Sequence, residues 1–433
     1  MEKKPMDRKI SNRARVVAVP AAAALAVAGR FGAGQIASAQ QAATVRLTGF
    51  TSSKDEETLF TQIIAAAEAA NPSVKVKYEP IPSDYPTKLQ TDIAAGSVAD
   101  IFYVDSLLAP DFMVNGVLLP LDDYMANSGV KSTDFYPGLI KAFQLGGKTY
   151  GLPKDWSSLA MIYDKKALTD AGIAAPPTTW EELTAAGQAL LKKFGSPRIC
   201  IPADIARYFA FHYAAGAKVI SDDGASIQID SPEAATALGY YYGMYKDGIA
   251  TTPADSGAQW PGDALAKDLA DIVFEGNWVF PFLKTQAPTL DFGIAEMPAG
   301  PAGKATLAFT VSFSVSASTK VPEAAWAIEN YMTGPEGMGK WASLGLAMPS
   351  RSALAAEWLA KFPEREPFLK SGDYARGWQL GPGGNTFNND ANAAMQGLFA
   401  GTQDVATTLK KMQTAAQSRI KLTPGAAATP AGA

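Results

Sequence analysis

The stretch VKVKYEPIPSDYPTKLQTDIAAGSVADIFYVD, residues 74–105, decides the fold class. Apolar and charged residues alternate over 74–79, which predicts a strand with one wet face. A helix is expected over about 85–95, and the apolar run that ends at Asp105 predicts the next strand. Because strands and helices alternate, the sequence predicts an α/β fold.

The residues before this stretch extend the same alternation. Residues 44–49 predict a strand, and a helical periodicity follows over 59–67. In sheets of this kind, ligands bind at the loops that leave the carboxyl ends of the strands. This rule selects the candidate residues Thr51, Ser52, Ser53, Asp105 and Ser106.

Length and charge limit the class of protein. A chain of 433 residues exceeds what one hydrophobic core usually supports, so two domains are expected. With 47% apolar and 18% charged residues the chain is globular. A net charge of −4 offers no basic field for nucleic acid or anionic lipid, so neither is expected as a partner.

Cysteine and histidine each occur once, which excludes several kinds of site. A single cysteine, Cys200, cannot form an intramolecular disulfide, and its apolar neighbours predict a buried residue. A single histidine, His212, excludes a metal site with two His ligands, and a C-x-x-C zinc site is excluded as well. We therefore expect no metal, no cofactor and a structural role for His212.

Both ends of the chain carry processing or low-complexity signals. Residues 1–15 are basic, 16–29 are apolar but too short to span a bilayer, and ASAQ at 37–40 resembles a cleavage site. We expect a secretory signal peptide over 1–39 and a soluble bacterial protein exported to the periplasm or beyond. No cysteine follows the cleavage site, which excludes a lipoprotein there. Residues 423–433 predict a disordered tail.

The stretch GKTYGLPKDWSSLAMIYDK, residues 147–165, raises the question of what Trp156 does. A strand is predicted over 148–152, closed by Pro153, and a second strand over 159–163. Trp156 would then lie in a turn-like connector beside charged residues.

Three later helices have clear start signals. Thr179 with Glu182 forms a capping box, and Ser231 followed by Pro232 is an N-cap with proline in the first turn. The third helix is predicted within VPEAAWAIENYMTG.

Seven motifs occur in a fixed order along the chain: AAGSVADI (94–101), GVLLPLDD (116–123), GKTYGLP (147–153), YDKKALTDAGIAAPPTTWEEL (163–183), DLADIVFEGNWVFPFL (268–283), VPEAAWAIENYMTGPEG (321–337) and LAMPSRSAL (346–354). Together they resemble the family 1 extracellular solute-binding proteins, which are the maltose-binding-protein-like partners of ABC importers. The similarity spans roughly 44–420. Two departures, Tyr163-Asp164 and Ala270-Asp271, affect fine detail only.

The resemblance implies a two-lobed, type II periplasmic-binding-protein-like fold whose discontinuous lobes close on a ligand by hinge motion. Lobe 1 would hold 44–155 plus 303–347, and lobe 2 would hold 156–302 plus 348–422. The protein would be a monomer that takes a carbohydrate in the interlobe cleft and delivers it to an ABC transporter permease.

The resemblance also places Asp155 and Trp156 at the first crossing between the lobes. A sugar offers hydroxyls to carboxylates and C–H faces to aromatic rings, so Asp155 and Trp156 are expected to bind both surfaces. The alternatives are interlobe packing for Trp156 and a solvated turn position for Asp155.

Further ligand-binding candidates are loop tryptophans and polar residues near the family motifs. For Asp105 the alternative is a helix N-cap, and for Arg351 a hinge ion pair is the favoured role. No catalytic residue is predicted. The candidates are Trp278, Glu275, Asn277, Trp260, Trp378, Asp105, Ser52 and Arg351.

Two other functions stay open. An exported glycosidase would need a distinctive carboxylate pair, which the sequence lacks, and His212 has no G-x-S-x-G nucleophile motif near it. A binding protein for a polyamine, a metal complex, glycerol phosphate or a peptide is the second alternative.

Overall fold

The computed structural model describes residues 42–51 and 54–422. The predicted signal peptide (1–39), the candidates Ser52 and Ser53 and the predicted tail (423–433) lie outside the described residues. The strands are β1 Ala43–Thr48, β2 Val74–Tyr78, β3 Ile101–Asp105, β4 Gln144–Leu145, β5 Lys148–Thr149, β6 Leu152–Ser158, β7 Ala160–Asp164, β8 Ile199–Cys200, β9 Ala250–Thr251, β10 Ile272–Glu275, β11 Phe292–Ala295, β12 Thr306–Val315 and β13 Ala375–Gly377.

Helices follow most of these strands, and short 3₁₀ turns occur at Ser132–Asp134, Ser352–Leu354, Pro363–Arg365 and Ser371–Asp373. The α-helices are α1 Lys54–Ala70, α2 Tyr85–Ala94, α3 Ala109–Val114, α4 Asp122–Ser128, α5 Pro137–Lys141, α6 Lys165–Asp170, α7 Trp180–Phe194, α8 Ile205–Ala214, α9 Pro232–Lys246, α10 Pro253–Ser256, α11 Pro261–Ala266, α12 Val279–Gln286, α13 Pro322–Thr333, α14 Pro335–Ala342, α15 Ala355–Lys361, α16 Glu366–Lys370, α17 Gly384–Phe399 and α18 Val405–Arg419.

The first sheet contains the predicted strand–helix alternation. Its order is β13-β12-β3-β1-β2, and β1 runs parallel to both β2 and β3. The long strand β12 runs antiparallel to β3 over its second half, and β6 pairs with β12 as well. The α/β class and the order of the first five elements are therefore confirmed.

The second sheet has the order β11-β7-β10-β8-β9. β7 is antiparallel to β10 and β11, whereas β8 is parallel to β10 and β9. Its strands come from residues 160–295, between the two segments that build most of the first sheet.

The chain passes from the first sheet to the second between β6 and β7, which are separated by one residue. The predicted strand end at Pro153 is wrong, because β6 continues through Pro153 to Ser158. A proline is tolerated here because β6 forms its ladder with β12 alone, apart from one bridge at Trp156. Trp156 therefore lies within a strand and not in a turn-like connector.

A cluster of apolar side chains packs against each of the two sheets. One surrounds the first sheet and includes the side chains of Phe60, Phe102 and Phe313, and another surrounds the second sheet and includes Phe211 and Phe274. Cys200 is buried in the second sheet, as predicted, and burial raises the pKa of its thiol to about 12.

The helix starts follow the predicted caps. The side-chain oxygen of Thr179 accepts the Glu182 N–H at 3.2 Å, and that of Ser231 accepts the Ala234 N–H at 3.2 Å. The motif VPEAAWAIENYMTG forms α13, also as predicted.

No helix in the described part of the chain has both the length and the apolar character that crossing a bilayer requires.

Candidate functional site

Three neighbouring strands present one row of side chains on a shared face. In the β12–β6 ladder, Phe309 is opposite Ser157 and Val311 is opposite Asp155, while in the β12–β3 ladder Val311 is opposite Asp105. Cross-strand partners lie on the same face of a sheet, so these five side chains form a continuous row. We call this row, Asp105, Asp155, Ser157, Phe309 and Val311, the floor.

The floor faces the second sheet at the loop after β10. The Ser157 hydroxyl accepts the Asn277 backbone N–H at 2.8 Å and its Nδ2 at 3.3 Å. The Phe309 ring centroid lies 5.5 Å from that of Trp278, in an edge-to-face arrangement. These residues form an interface with one side on each sheet, and we call this interface the cleft.

Trp156 lies on the opposite face from the floor. It pairs with Thr310, it is 2% exposed, and its Nε1 donates to the Pro349 carbonyl at 3.1 Å. Its ring centroid lies 5.5 Å from that of Tyr136. Successive residues of a strand point to opposite faces, so Trp156 and Asp155 lie on opposite faces of β6. The geometry favours the packing interpretation of Trp156.

Asp155 lies on the floor but is not a solvated turn residue. Between Asp155 and Pro153 the β6–β12 register shifts, and Lys154 is the extra, bulged residue. The Lys154 ammonium pairs with the Asp155 carboxylate and lies 4.1 Å from the Trp341 ring centroid. The Trp341 Nε1 also donates to Asp155, at 2.7 Å. Asp155 is thus held by two partners from its own side of the cleft.

The side of the cleft on the second sheet is built around Glu275, the last residue of β10. Arg207 is placed in the first turn of α8 because the Asp204 side chain caps that helix. The Arg207 Nη2 donates to both Glu275 carboxylate oxygens at 3.0 and 2.8 Å, and the Trp278 Nε1 donates to one of them at 2.7 Å. Burial raises the pKa of Glu275, and the Arg207 charge opposes this effect.

The loop after β10 needs a glycine. A Cβ atom added at Gly276 would lie 2.2 Å from the Trp278 ring, which folds back over this residue. This close approach places the Trp278 indole beside Glu275 and Phe309. We call Arg207, Glu275, Asn277 and Trp278 the Arg207 cluster.

Two polar atoms of the Arg207 cluster have no protein partner among the described residues. They are Arg207 Nε and Asn277 Oδ1, and both are buried. Buried polar atoms are almost always hydrogen-bonded. One donor and one acceptor of the Arg207 cluster therefore lack a hydrogen-bond partner among the described residues.

Aromatic rings continue from the Arg207 cluster across the cleft. The Phe309 centroid lies 5.8 Å from that of Trp378, which lies 6.3 Å from that of Phe209. The Ser106 hydroxyl donates to the Trp378 carbonyl at 2.9 Å, which ties this loop to the first sheet. Trp278 and Trp378, both predicted candidates, are thus joined through Phe309.

Asp105 ends β3 at the carboxyl edge, where the sequence predicted it. Its Oδ1 accepts the Leu107 N–H at 2.8 Å, so it caps a turn, and α3 begins only at Ala109. Burial raises the pKa of Asp105 to about 6.

Two other predicted residues lie away from the Arg207 cluster. Trp260 packs edge-on against Phe282, with centroids 5.0 Å apart. Arg351 forms an ion pair with Asp134 at 3.2 Å and donates to the Thr333 carbonyl at 2.6 Å. The geometry of Arg351 favours the ion-pair role over that of a ligand donor.

Sequence reasoning missed Arg207, Ser157 and Phe309. The pairing of Arg207 with Glu275 joins residues 68 positions apart, for which one sequence carries no signal. Ser157 could have been found from strand alternation, had β6 been recognised as continuous.

His212 takes no part in this site. It is fully buried in α8, its Nδ1 lies 3.3 Å from the Tyr208 hydroxyl, and burial lowers its pKa to about 4. It is therefore neutral near pH 7.

The family of bacterial extracellular solute-binding proteins matches residues 51–339 of this chain. A putative binding protein of Brucella abortus is 30% identical over 344 residues, which are 77% of this chain and 77% of that protein. Among solved structures, an ABC substrate-binding protein of Listeria monocytogenes in complex with cycloalternan has a TM-score of 0.79 at 22% identity, covering 87% of this chain and 98% of that chain.

The sugar-binding protein MalE of Xanthomonas citri has a TM-score of 0.75 at 21% identity, with 87% of this chain and 98% of that chain covered. At such identities the two structures show the fold, which is the two-lobed α/β fold of MalE-like periplasmic binding proteins. The family match and the Brucella relative extend over most of the chain. This chain belongs to the bacterial extracellular solute-binding proteins, the family that provides solute-binding proteins to ABC transporters.

Proposed function

We propose that this protein captures a carbohydrate in the cleft between its two sheets and delivers it unchanged to the permease of an ABC transporter. The observation that carries the proposal is the contact of Trp278, in the Arg207 cluster, with the ring of Phe309, which in turn packs against Trp378. The protein would act as an exported monomer.

A sugar matches the two kinds of surface that the cleft offers. Its C–H faces pack on aromatic rings, and Trp278 and Phe309 lie edge to face beside Trp378. Its hydroxyls both donate and accept, which suits the Asn277 Oδ1 acceptor and the Arg207 Nε donor. The ligands named for the two solved structures, cycloalternan and sugar, are consistent with this class.

The lobe boundaries are part of the proposal. Lobe 1 would hold 44–155 plus 303–347, and lobe 2 would hold 156–302 plus 348–422. The first sheet draws β1–β3, β6 and β12 from outside 160–302, and the second sheet lies wholly within that range, which supports a division close to these boundaries. β6 itself continues to Ser158, three residues past the proposed end of the first segment of lobe 1. β13, at 375–377, pairs with β12 and would be a further connection between the lobes.

Isothermal titration against a panel of mono- and oligosaccharides tests the proposal. We expect saturable binding of at least one saccharide and no product when the same mixtures are examined by chromatography. Binding of a polyamine or a peptide with no saccharide binding would contradict the carbohydrate assignment. Release of hydrolysed sugar would contradict the role as a binding protein.

A further inference from the structure

We infer that Glu275 sets the charge selectivity of the cleft: by pairing with Arg207 it makes the cleft accept uncharged polyhydroxylated solutes and reject phosphate-bearing ones. This inference rests on the proposed function and narrows its ligand class. It assigns to Glu275 a positioning and neutralising role in place of the hydroxyl contact predicted from sequence.

Without a carboxylate partner, Arg207 would attract anions. A guanidinium is the side chain best suited to bind phosphate, because its planar N–H donors match the oxygens of the anion. Arg207 would therefore create an anion site on the cleft. Instead, its Nη2 donates to both oxygens of Glu275, and its Nη1 lies 3.9 Å from an Asp204 carboxylate oxygen.

The pairing leaves little room for an incoming anion. Glu275 is fully buried, and its carboxylate also accepts the Trp278 indole N–H at 2.7 Å. A phosphate at Arg207 would have to lie beside this fixed negative charge or displace it. The Arg207 Nε remains without a protein partner among the described residues, and it suits a neutral hydroxyl.

On the opposite side of the cleft, a second cation is also paired with a carboxylate. The Lys154 ammonium is paired with the Asp155 carboxylate and covered by the rings of Trp341 and Tyr103, 4.1 and 4.9 Å from their centroids. Asp105 adds a carboxylate whose hydrogen bond comes from a backbone N–H. Two cations thus stand beside four carboxylates, those of Glu275, Asp204, Asp155 and Asp105, and this balance opposes anions.

The decisive variant is Glu275→Gln, which removes the charge and retains an oxygen that can accept the Trp278 and Arg207 N–H groups. We expect wild-type protein to show no binding of inorganic phosphate or of a sugar phosphate at millimolar concentration. The variant should bind both measurably, at least about tenfold more tightly than the weakest binding that the titration would detect for wild type, since one charge-assisted hydrogen bond supplies a change of this size. Titration calorimetry measures both, and tryptophan fluorescence gives a second readout.

The chain offers a matched control at the other end of β10. Asp271 is also fully buried, and it accepts from Arg198 Nε at 2.7 Å. Asp271→Asn likewise removes a buried carboxylate from beside an arginine, although Arg198 keeps Asp268 as a second partner, and the position lies outside the cleft residues. It should lose thermal stability with no gain of phosphate binding, which separates charge selectivity from general loosening of the fold.

A double variant, Arg207→Gln with Glu275→Gln, removes both charges and should gain no phosphate binding. The inference is overturned if wild type binds a sugar phosphate as tightly as its neutral parent sugar, a result that needs no variant to fold. It is also overturned if Glu275→Gln melts cooperatively yet gains no phosphate binding. If wild type binds no neutral saccharide, the proposed carbohydrate function fails, whereas the phosphate titration of Glu275→Gln still decides the charge inference.

Discussion

At the scale of single residues, the polar side chains of the cleft are of two kinds. Some are held in ion pairs, and others have a polar atom without a hydrogen-bond partner. Asp155, Lys154 and Glu275 are held in ion pairs, and each is buried. Arg207 Nε and Asn277 Oδ1 have no protein partner among the described residues. Affinity should therefore depend on the free atoms and the aromatic rings, while the paired charges set which solutes are admitted.

Replacing Trp278 by alanine should weaken binding of whichever saccharide the wild-type protein binds. Loss of one packed ring is expected to cost about 1.5 kcal/mol, or roughly a tenfold rise in Kd. Calorimetric titration of Trp278→Ala provides the measurement. Trp260→Ala is the matched control, because Trp260 is also partly buried but packs on Phe282 outside the Arg207 cluster. Equal losses in both variants would contradict the assignment of the site.

The raised pKa of Asp105 predicts a pH-dependent penalty on stability. The group has an ordinary pKa of 3.8 in the unfolded chain and about 6 when folded, so the native state holds the proton more tightly over about pH 4 to 6. Stability contributed by this group therefore falls as pH rises through that window and stays low above it.

Asp105→Asn removes the penalty. The variant should gain stability relative to wild type as pH rises from about 4 to 6, by on the order of 1–3 kcal/mol, with a constant difference above pH 7. Urea unfolding at several pH values measures this difference. A difference between wild type and variant that does not change with pH would show that Asp105 titrates normally.

At the scale of elements, β6 precedes and β12 follows the segment that forms the second sheet, and these two strands hold four of the five floor residues. The fifth, Asp105, ends β3. β12 pairs with β3, β6 and β13 along different parts of its ten residues. The bulge at Lys154 places two successive side chains on the Asp155 side, which is how an ion pair between neighbours forms in a strand. Close packing along this ladder should make it intolerant of added volume.

Gly151→Ala tests this packing. A Cβ atom there would lie 2.3 Å from the Ser314 hydroxyl oxygen and 2.9 Å from the Ser312 Cβ, so the substitution should destabilise the fold by about 1–3 kcal/mol. In contrast, Gly239 lies inside α9 with no atom within 4 Å of an added Cβ, and Gly239→Ala should stabilise by about 0.5–1 kcal/mol. Chemical denaturation of both variants measures the two shifts, and shifts of the same sign would be inconsistent with this packing.

At the scale of the whole molecule, the two sheets are connected by contacts as well as by strands. Leu107, which follows β3 of the first sheet, belongs to the same apolar cluster as Phe209, Trp378 and Leu380. The Gln379 side chain donates to the carbonyls of Ser106 and Ala142, at 3.4 and 2.6 Å. A solute in the cleft would add contacts between the two sides, so binding and global stability should be linked.

Thermal melting in the presence of the bound saccharide should show this linkage. At about 100 times Kd, binding to the folded state alone adds about 2.7 kcal/mol, which raises Tm by several degrees in a single cooperative transition. Trp278→Ala should show a smaller rise at the same saccharide concentration. A rise of equal size in wild type and Trp278→Ala would indicate that the saccharide binds elsewhere.

The sequence by itself determined the local structure of this protein. Periodicity and caps predict the strand–helix order up to β3 and the starts of α7 and α9, because helix starts and strand alternation depend on neighbours in the chain. Motif order predicts the family, and the position of Asp105 at a strand end follows from the α/β class. Trp278 and Trp378 were also found as candidates from their loops.

Only the tertiary structure decided which side chains meet. Strand register places Ser157 and Asp155 on the floor and Trp156 behind it, and register depends on pairing with β12, about 155 residues away. The same holds for Arg207 with Glu275 and for Phe309 between two tryptophans. These contacts arise from packing between distant segments, and local propensity carries no information about which distant partner a side chain will find.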